Sequence, residues 1–448
     1  MAKHTLQELQ QWQQLPLSLK VRMTKERIRE WIKEFGVDGV YISFSGGKDS
    51  TVLLDLVRQD YPDVEAVFVD VPTQYPELKQ FATSFENVTV LHPKIGYKQV
   101  VEKYGFPFIS KEVSECVQGA RKYLTQIMNE ENALQTDRQT DRQTDRSNTL
   151  IGTEGSTESG NTIRMGMEQT QWPRVLCSAK DNSLCRLSRG GTITSLENSP
   201  ELANILEYRL QNRLGGNNQR LAQMLGMYTN DKKKLIQPKE NIPNKDRSSY
   251  SQEKYKFFLE APFEISNKCC NVMKKAPAHN FARKTGKVPI VATMASESRL
   301  RTQKWLQNGC NGFDLKLPTS TPMSFWTEQD VLLYIKEHNL PICSVYGDVV
   351  VDMDKENQLE GQMCLADFAS DCGLFDIGNP PLTTTGCKRT GCVLCGFGCH
   401  MKDDTRFVDL KRTHPKLYGL MDVIQNNGVT MREAIDWINE HGGMNIKY

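Results

Sequence analysis

The chain has 448 residues, of which 38% are hydrophobic and 25% charged, and its formal net charge is +2. This composition supplies enough apolar material for a core and excludes a chain that is disordered throughout, and at about 150 residues per domain the length corresponds to two or three domains. A net charge so close to zero provides no global field that would indicate a nucleic-acid or membrane partner, although a local basic patch is compatible with it.

The first part of the chain alternates between strand and helix patterns. Short apolar runs predict three buried strands, at 37–44, 64–70 and 88–91. Apolar side chains at helical spacing predict helical structure at 5–36, where Gly36 ends the helix, at 51–58 and at 78–85. Strands and helices in this order form a parallel sheet with right-handed crossovers, which predicts an α/β fold.

A polar segment then interrupts the alternation. Residues 135–146 are three consecutive copies of Gln-Thr-Asp-Arg, and 147–167 are rich in Gly, Ser, Thr and Asn. Neither stretch can bury apolar area, so 130–200 is predicted to be a mobile insertion. A four-residue period is too short for a solenoid, and we interpret the repeat as an expansion without a role. Helical spacing returns over 201–228.

From about residue 255 the pattern again becomes that of a compact fold. A strand is predicted at 288–293, and a helix at 327–338 with Thr327 as its N-cap. Residues 380–400 are rich in Cys and Gly, and the last fifty residues are predicted to be mostly helical.

The segment between the first predicted strand and the next helix, residues 45–50, has the sequence Ser-Gly-Gly-Lys-Asp-Ser. Gly46 and Gly47 can adopt backbone angles closed to other residues, so their N–H groups can converge on one anion, at which the following helix directs the positive end of its dipole. A lysine charge, two hydroxyl donors and a carboxylate able to orient a metal ion or cap the helix complete the loop: Lys48, Ser45, Ser50 and Asp49. An ordinary tight turn is the alternative, and the full hexad in this context favours a site for nucleotide phosphates.

The stretch SFSGGKDS and the apolar helix after it resemble the PP-loop ATP pyrophosphatases, which include sulfate adenylyltransferase small subunits, tRNA-thiolating enzymes and relatives of phosphoadenosine phosphosulfate (PAPS) reductase. The second strand, FVDVPTQYPE, is also similar to that of this family. Its Asp70 falls at a strand's carboxyl end, where ligands of open α/β sheets bind. The resemblance implies a Rossmann-like domain of the adenine nucleotide alpha hydrolase type, with a large insertion and a Cys-rich C-terminal region.

Four further stretches resemble adenylyl-sulfate reductases: SK at 110–111, SNKCC with KKxP at 266–277, ESRxR at 297–301 and WTExDV at 326–331. On this resemblance catalytic roles fall to Lys48, Asp49 and Arg299. Nucleotide binding falls to loop 45–50, Asp70, Lys111 and Arg301. For Lys111 and Arg301 the physical reason is that lysine and arginine suit phosphate or sulfate groups. The implied domains are N-terminal helices (1–36), a PP-loop domain in two parts (37–125 and 255–345), a low-complexity and helical insertion (126–254) and a Cys-rich, helical C-terminal region (346–448).

The cysteines indicate a metal or iron–sulfur centre. One candidate set has the spacing C-x4-C-x2-C-x3-C and consists of Cys387, Cys392, Cys395 and Cys399. Thiolates this close share a metal or risk oxidation, and spacing alone does not separate Zn²⁺ from an iron–sulfur cluster. The resemblance implies a second set, since such reductases bind a 4Fe-4S cluster through a Cys-Cys pair and a Cys-x-x-Cys pair: Cys269, Cys270, Cys392 and Cys395. We prefer the second set.

The apolar runs are far shorter than the ~20 residues that span a bilayer, and the polar beginning MAKHTLQELQQW lacks the apolar core of a signal peptide. We therefore expect a cytoplasmic protein without a membrane partner, whose thirteen cysteines form no disulfide framework.

Together these features predict an enzyme that binds ATP and Mg²⁺ at loop 45–50 and adenylates an acceptor in sulfur-transfer chemistry. The resemblance implies DNA or RNA as an acceptor, which basic residues at 232–239 and 283–287 suit, and a cysteine desulfurase or another sulfur donor as a partner. One alternative is an adenylyl-sulfate (APS/PAPS) reductase, whose nucleophilic C-terminal cysteine has no counterpart after Cys399 and would have to be replaced by a relocated thiol such as Cys399 itself. The other is a non-catalytic nucleotide-binding subunit.

Overall fold

The computed structural model describes residues 3–126, 200–211, 217–228, 236–242, 251–353 and 380–448. The Gln-Thr-Asp-Arg repeats and the predicted insertion up to residue 199 lie outside these ranges. Residues 5–36 form two helices rather than one, α1 (Leu6–Gln13) and α2 (Leu17–Phe35), and Gly36 ends the second. The break falls at Pro16, which has no N–H with which to continue α1.

The central sheet is built from six strands: β1 (Val40–Phe44), β2 (Ala66–Val69), β3 (Val88–Leu91), β5 (Val288–Val291), β6 (Asn311–Gly312) and β7 (Thr319–Ser320). A separate short strand, β4 (Phe108–Ile109), precedes β5 in the chain. The order in the sheet is β3-β2-β1-β5-β7-β6, and every pair is parallel except β6–β7. The α/β fold with a mostly parallel sheet is therefore confirmed.

Strand β1 lies in the middle of this sheet, where Ile42 pairs with Ala66 on one side and with Ile290 on the other. The chain proceeds outward from β1 through β2 to β3 and then returns to place β5 on the opposite side of β1. The carboxyl end of β1 is thus a topological switch point, the position at which open α/β sheets bind ligands.

The helices of the first half of the fold are α3 (Lys48–Asp60), α4 (Pro76–Thr83), α5 (Tyr97–Tyr104), α6 (111–126), α7 (Pro200–Gln211) and α8 (Asn217–Met224). Those that follow are α9 (Lys268–Cys270), α10 (Ala276–Thr285), α11 (Arg299–Asn308), α12 (Glu328–Glu337), α13 (Arg406–Thr413), α14 (Pro415–Tyr418) and α15 (Met431–Gly442). Short strand pairs are formed by β8 (Val349–Val351) with β9 (Leu382–Thr384), by β10 (Gly396–Phe397) with β4, and by β11 (Gln425–Asn426) with β12 (Val429–Thr430). No helix in the described part of the chain combines the length and the apolar character that crossing a bilayer requires.

Two main hydrophobic cores hold these elements. The first packs α1, α2, α3 and α12 around the sheet and contains Trp31, Phe44 and Trp326. The second joins α5 to α8 with the C-terminal helices, through residues such as Leu206 and Ile435. The described helices at 200–224 therefore contribute apolar side chains to a buried core.

Candidate functional site

Loop 45–50 connects the end of β1 to the start of α3, as the sequence predicts. Gly46 lies in the left-handed region, with φ of 70°, and a Cβ atom at this position would approach the carbonyl oxygen of Leu78 to 3.1 Å. Both observations favour glycine over any residue with a side chain. Helix α3 begins at Lys48, three residues before the predicted start, and Gly47 is its N-cap. Asp49 therefore lies inside the first turn and does not cap the helix.

Hydroxyl groups contact the N–H groups of the loop. The Gly47 N–H donates to Ser45 Oγ and the Lys48 N–H donates to the hydroxyl of Tyr346, both at 3.3 Å. Ser50 stabilises the turn through its hydroxyl group. Its Oγ lies 3.0 Å from Ser45 Oγ and donates to the Gly47 carbonyl oxygen at 2.9 Å. The two amide contacts are longer than the usual 2.9–3.0 Å or so, and a stronger acceptor can replace them.

A cavity of about 610 Å³ opens over the loop, within the ~300–1,000 Å³ typical of ligand pockets. Loop 45–50 forms one wall. The other walls come from the segment after β5, the start of α12, a helical turn at Ser344–Tyr346 and a loop preceding the last cysteines: Met294, Ser296, Glu297, Thr327, Glu328, Gln329, Tyr346, Lys388, Arg389, Thr390 and Gly391. Five parts of the chain that are remote in sequence therefore meet at the switch point.

Lys48 is paired with a carboxylate of the cavity wall. The Lys48 Nζ lies 2.5 Å from Glu328 Oε1 and 3.0 Å from the Lys388 carbonyl oxygen. Asp49 Oδ1 is buried and has no hydrogen-bond partner among the described residues. Burial raises the pKa of Asp49, an effect that Lys48 opposes and Glu328 reinforces. The site therefore combines Lys48 and Asp49 of the loop with the carboxylate of Glu328 from α12.

Of the predicted nucleotide ligands outside the loop, only Arg301 reaches the vicinity of the cavity. It pairs with Glu297, and burial, followed by repulsion from Arg389, lowers its pKa. Arg299 and Lys111 are exposed and do not line the cavity. Asp70 does follow β2 at its carboxyl end, but its carboxylate pairs with Lys79 at 2.7 Å and with His92 at 3.5 Å instead of facing the cavity.

Four of the predicted cysteine ligands are brought together by the segment 106–109. On one side Phe106 forms a bridge with Ile265, shortly before the Cys-Cys pair. On the other side β4 pairs with β10, directly after the Cys-x-x-Cys pair. The pairing of one segment with both neighbours places Cys269 and Cys270 beside Cys392 and Cys395.

The electrostatics of these thiols show that they are neighbours. The pKa of Cys269 lies above its usual range, first because the thiol is buried and then because Cys392, Cys270 and Cys395 lie close to it. Lys274 is half-buried beside them and hydrogen-bonds Cys392. Burial by itself lowers the pKa of Lys274, but the thiols outweigh that effect and the net shift is upward. A half-buried cation next to four sulfur atoms is suited to stabilise thiolates.

Cys387 and Cys399, which belong to the local set alone, have different surroundings. The Cys387 thiol donates to the Arg389 carbonyl oxygen at 2.8 Å and contacts Tyr75. Cys399 is fully buried near Arg406, with Cys395 in its vicinity. The arrangement therefore gathers the set that the family resemblance implies, Cys269, Cys270, Cys392 and Cys395, more closely than the C-x4-C-x2-C-x3-C set.

The chain matches the family model of the phosphoadenosine phosphosulfate reductase domain over residues 39–151 and 221–396. The chain belongs to this family. The two matched segments contain loop 45–50, Glu328, Tyr346 and the four gathered cysteines. The PAPS reductase domain family accounts for the fold and connects the chain with nucleotide–sulfur chemistry.

In this PAPS reductase domain protein, the four cysteines supply thiolates of the kind that bind Zn²⁺ or an iron–sulfur cluster. Within the described ranges, no three His, Cys, Asp or Glu side chains are arranged to hold a single metal ion. Zinc, with Zn–S bonds of about 2.3 Å, would require its four sulfur atoms to touch one another. A four-iron cluster places iron and sulfide atoms between its thiolates, so that its ligands stand further apart.

Several residues of the cavity were not identified from the sequence. Glu328 was noticed only as part of the WTExDV stretch, and neither Tyr346 nor the loop 388–391 was assigned to the nucleotide site. Tyr346 is buried, and its hydroxyl joins Lys48 N to Thr390 Oγ1, which lies 2.5 Å away. A motif identified Glu328 as a candidate, whereas nothing local identifies the other residues.

Proposed function

We propose that this PAPS reductase domain protein is an ATP pyrophosphatase that binds ATP and Mg²⁺ at loop 45–50 and transfers AMP to an acceptor. The observation that carries the proposal is the complete Ser-Gly-Gly-Lys-Asp-Ser loop, with Lys48 directed into a cavity at the switch point of the sheet. A loop of amides, a lysine and a helix N-terminus is suited to a polyphosphate.

The proposed reaction needs no covalent bond to the protein. A nucleophilic atom of the acceptor attacks the α-phosphorus, the bond to the bridging oxygen breaks, and pyrophosphate departs with the electron pair. Lys48 and the amides of Gly47 and Lys48 would stabilise the negative charge that accumulates on the leaving phosphates. The cavity walls would hold the acceptor in line with the breaking bond.

The four gathered cysteines, Cys269, Cys270, Cys392 and Cys395, are proposed to hold a 4Fe-4S cluster in preference to Zn²⁺. When bound, such a group would hold the fold together or carry sulfur. The chain contributes Lys274, whose ammonium group would compensate thiolate charge, and the segment 106–109, which would fix the distance between the two cysteine pairs.

DNA or RNA is proposed as the acceptor, and a cysteine desulfurase or another sulfur donor as the partner. The exposed guanidinium groups of Arg299 and Arg389 support a polyanionic acceptor, since Arg389 lines the cavity and Arg299 begins the helix that carries Arg301. The alternative of a reductase with Cys399 as its nucleophile is less well supported, because Cys399 is fully buried and burial raises its pKa to about 12.

The test measures AMP and pyrophosphate released from ATP and Mg²⁺ by anaerobically purified protein, with RNA or DNA supplied as acceptor, together with the iron content and the visible spectrum. Lys48→Ala should lower pyrophosphate release by at least about 100-fold, as expected for loss of a charge that stabilises the transition state. Lys33→Ala, at an exposed position of α2, is the matched control and should be unaffected. Full activity of Lys48→Ala would refute the role of the loop, and production of sulfite from an adenylyl sulfate would favour the reductase.

A further inference from the structure

In this structure the ammonium group of Lys48 is already neutralised by a carboxylate. The Lys48 side chain is 6% exposed, and its Nζ contacts Glu328 Oε1 and the Lys388 carbonyl oxygen. A phosphate oxygen that approaches Lys48 therefore meets an ammonium group that is already paired with Glu328. A phosphate that takes over this ion pair displaces the Glu328 carboxylate.

The Glu328 side chain is free to be displaced, whereas its backbone is fixed. Glu328 is the first residue of α12, its side chain is 49% exposed, and Lys48 is the only hydrogen-bond partner of its carboxylate within the described ranges. The start of the helix is anchored by Thr327 and Asp330, which cap each other, and by the buried ion pair of Asp330 with Lys20. Rotation of this one half-exposed side chain leaves Lys48 with the Lys388 carbonyl oxygen as its described hydrogen-bond partner, so that a phosphate can pair with the lysine charge.

The second carboxylate that pairs with a cation of the cavity differs in this respect. Glu297 contacts Arg301, and it also accepts a hydrogen bond from the Met294 N–H at 3.2 Å, which ties it to the backbone. Its removal would disturb the turn that follows β5. Within the described ranges the Glu328 carboxylate accepts no hydrogen bond from the backbone, and its only partner is Lys48 of the phosphate loop.

We propose that Glu328 is an exchangeable counter-ion of Lys48 that makes the site selective for nucleotide complexed with a divalent cation over free nucleotide. This inference rests on the proposed function of the loop. Once displaced, the Glu328 carboxylate stays at the mouth of the cavity beside Asp49, and both repel a bare triphosphate. A divalent cation bound to the phosphates cancels this repulsion, because it places positive charge between the two sets of oxygen atoms.

Substitution of Glu328 is expected to increase the affinity for metal-free nucleotide, although the residue lies in the binding site. Removing the charge by Glu328→Gln should tighten the binding of metal-free nucleotide, since Lys48 becomes available and one repulsive charge disappears. For a half-exposed carboxylate a few ångströms from the phosphates, we expect about a tenfold gain in affinity. The gain in affinity that Mg²⁺ produces should shrink by a similar factor.

The experiment is calorimetric titration of the full chain with an ATP analogue whose α,β-bridge is a methylene group, first with EDTA and then with Mg²⁺. Wild type, Glu328→Gln and Glu328→Ala are compared with Glu337→Gln, which removes the same charge from the exposed end of the same helix. We expect the two Glu328 variants alone to bind more tightly in EDTA and to respond less to Mg²⁺.

The failures of the two proposals are distinguishable. If wild type binds the analogue, and the Glu328 variants bind it in EDTA no better than wild type does, the counter-ion inference is wrong and the loop remains a nucleotide site. If the Glu337 variant gains as much as the Glu328 variants, the effect is one of net charge and the inference again falls. If no variant binds the analogue with or without Mg²⁺, both this inference and the proposed function are refuted.

Discussion

Removal of one partner of the buried ion pair between Lys20 and Asp330 is expected to destabilise the first core strongly. The Lys20 Nζ contacts both carboxylate oxygens of Asp330, at 2.7 and 2.8 Å, and also the Gln13 carbonyl oxygen at 2.7 Å. The two side chains are only 3% and 12% exposed. The pair joins α2 to the start of α12 and so supports the position of Glu328.

Lys20→Met retains the apolar stem of the side chain but leaves the Asp330 carboxylate buried and unpaired. Breaking a buried pair in this way costs about 3–5 kcal/mol. We expect the lower end of that range, because Asp330 keeps its hydrogen bonds to the N–H and hydroxyl of Thr327. Lys20→Met combined with Asp330→Asn should recover part of the loss, since the amide oxygen can still accept from Thr327 and no charge remains.

The measurement is denaturant unfolding at constant pH, followed by tryptophan fluorescence. Four of the six tryptophans belong to the first core or pack against it, so the signal reports on this region: Trp12, Trp31, Trp305 and Trp326. Lys25→Met is the matched control on α2, because Lys25 pairs with Asp60 at a site where the side chains are 20% and 30% exposed. It should lose no more than about 1 kcal/mol. Equal losses for Lys20→Met and Lys25→Met, or a double variant no more stable than Lys20→Met, would refute the reasoning.

Two further predictions follow from backbone geometry and burial. Gly46→Ala should destabilise the protein by about 1–2 kcal/mol in thermal unfolding and weaken nucleotide binding, because alanine is strained at a φ of 70° and its Cβ would crowd Leu78. Gly419→Ala is the control and should show no comparable loss of stability, since φ is −59° there and no atom lies within 4 Å of the added Cβ. Burial raises the pKa of Cys116 to about 12 and that of Cys310 to about 11, so iodoacetamide at pH 8 should label both thiols in urea and neither in the folded protein. Rapid labelling of the folded protein, read by mass spectrometry, would contradict the second prediction.

The local pattern of the sequence determined the elements around the site. Short apolar runs located the first three strands, and the Thr327 cap located the start of α12. The phosphate loop was recognised because the glycine pair, the lysine and the flanking strand and helix lie within about ten residues, the range over which backbone angles and capping operate. Family motifs added the cysteine pairs and the WTExDV stretch.

The tertiary structure alone decided which of these residues meet. Lys48 and Glu328 belong to different motifs, and their contact depends on the order of strands in the sheet, which places α12 beside the carboxyl end of β1. Asp70 stands at the expected end of its strand, yet its side chain pairs with Lys79 and His92. Packing and charge in three dimensions determine which side chains pair, and a local sequence pattern does not contain that information.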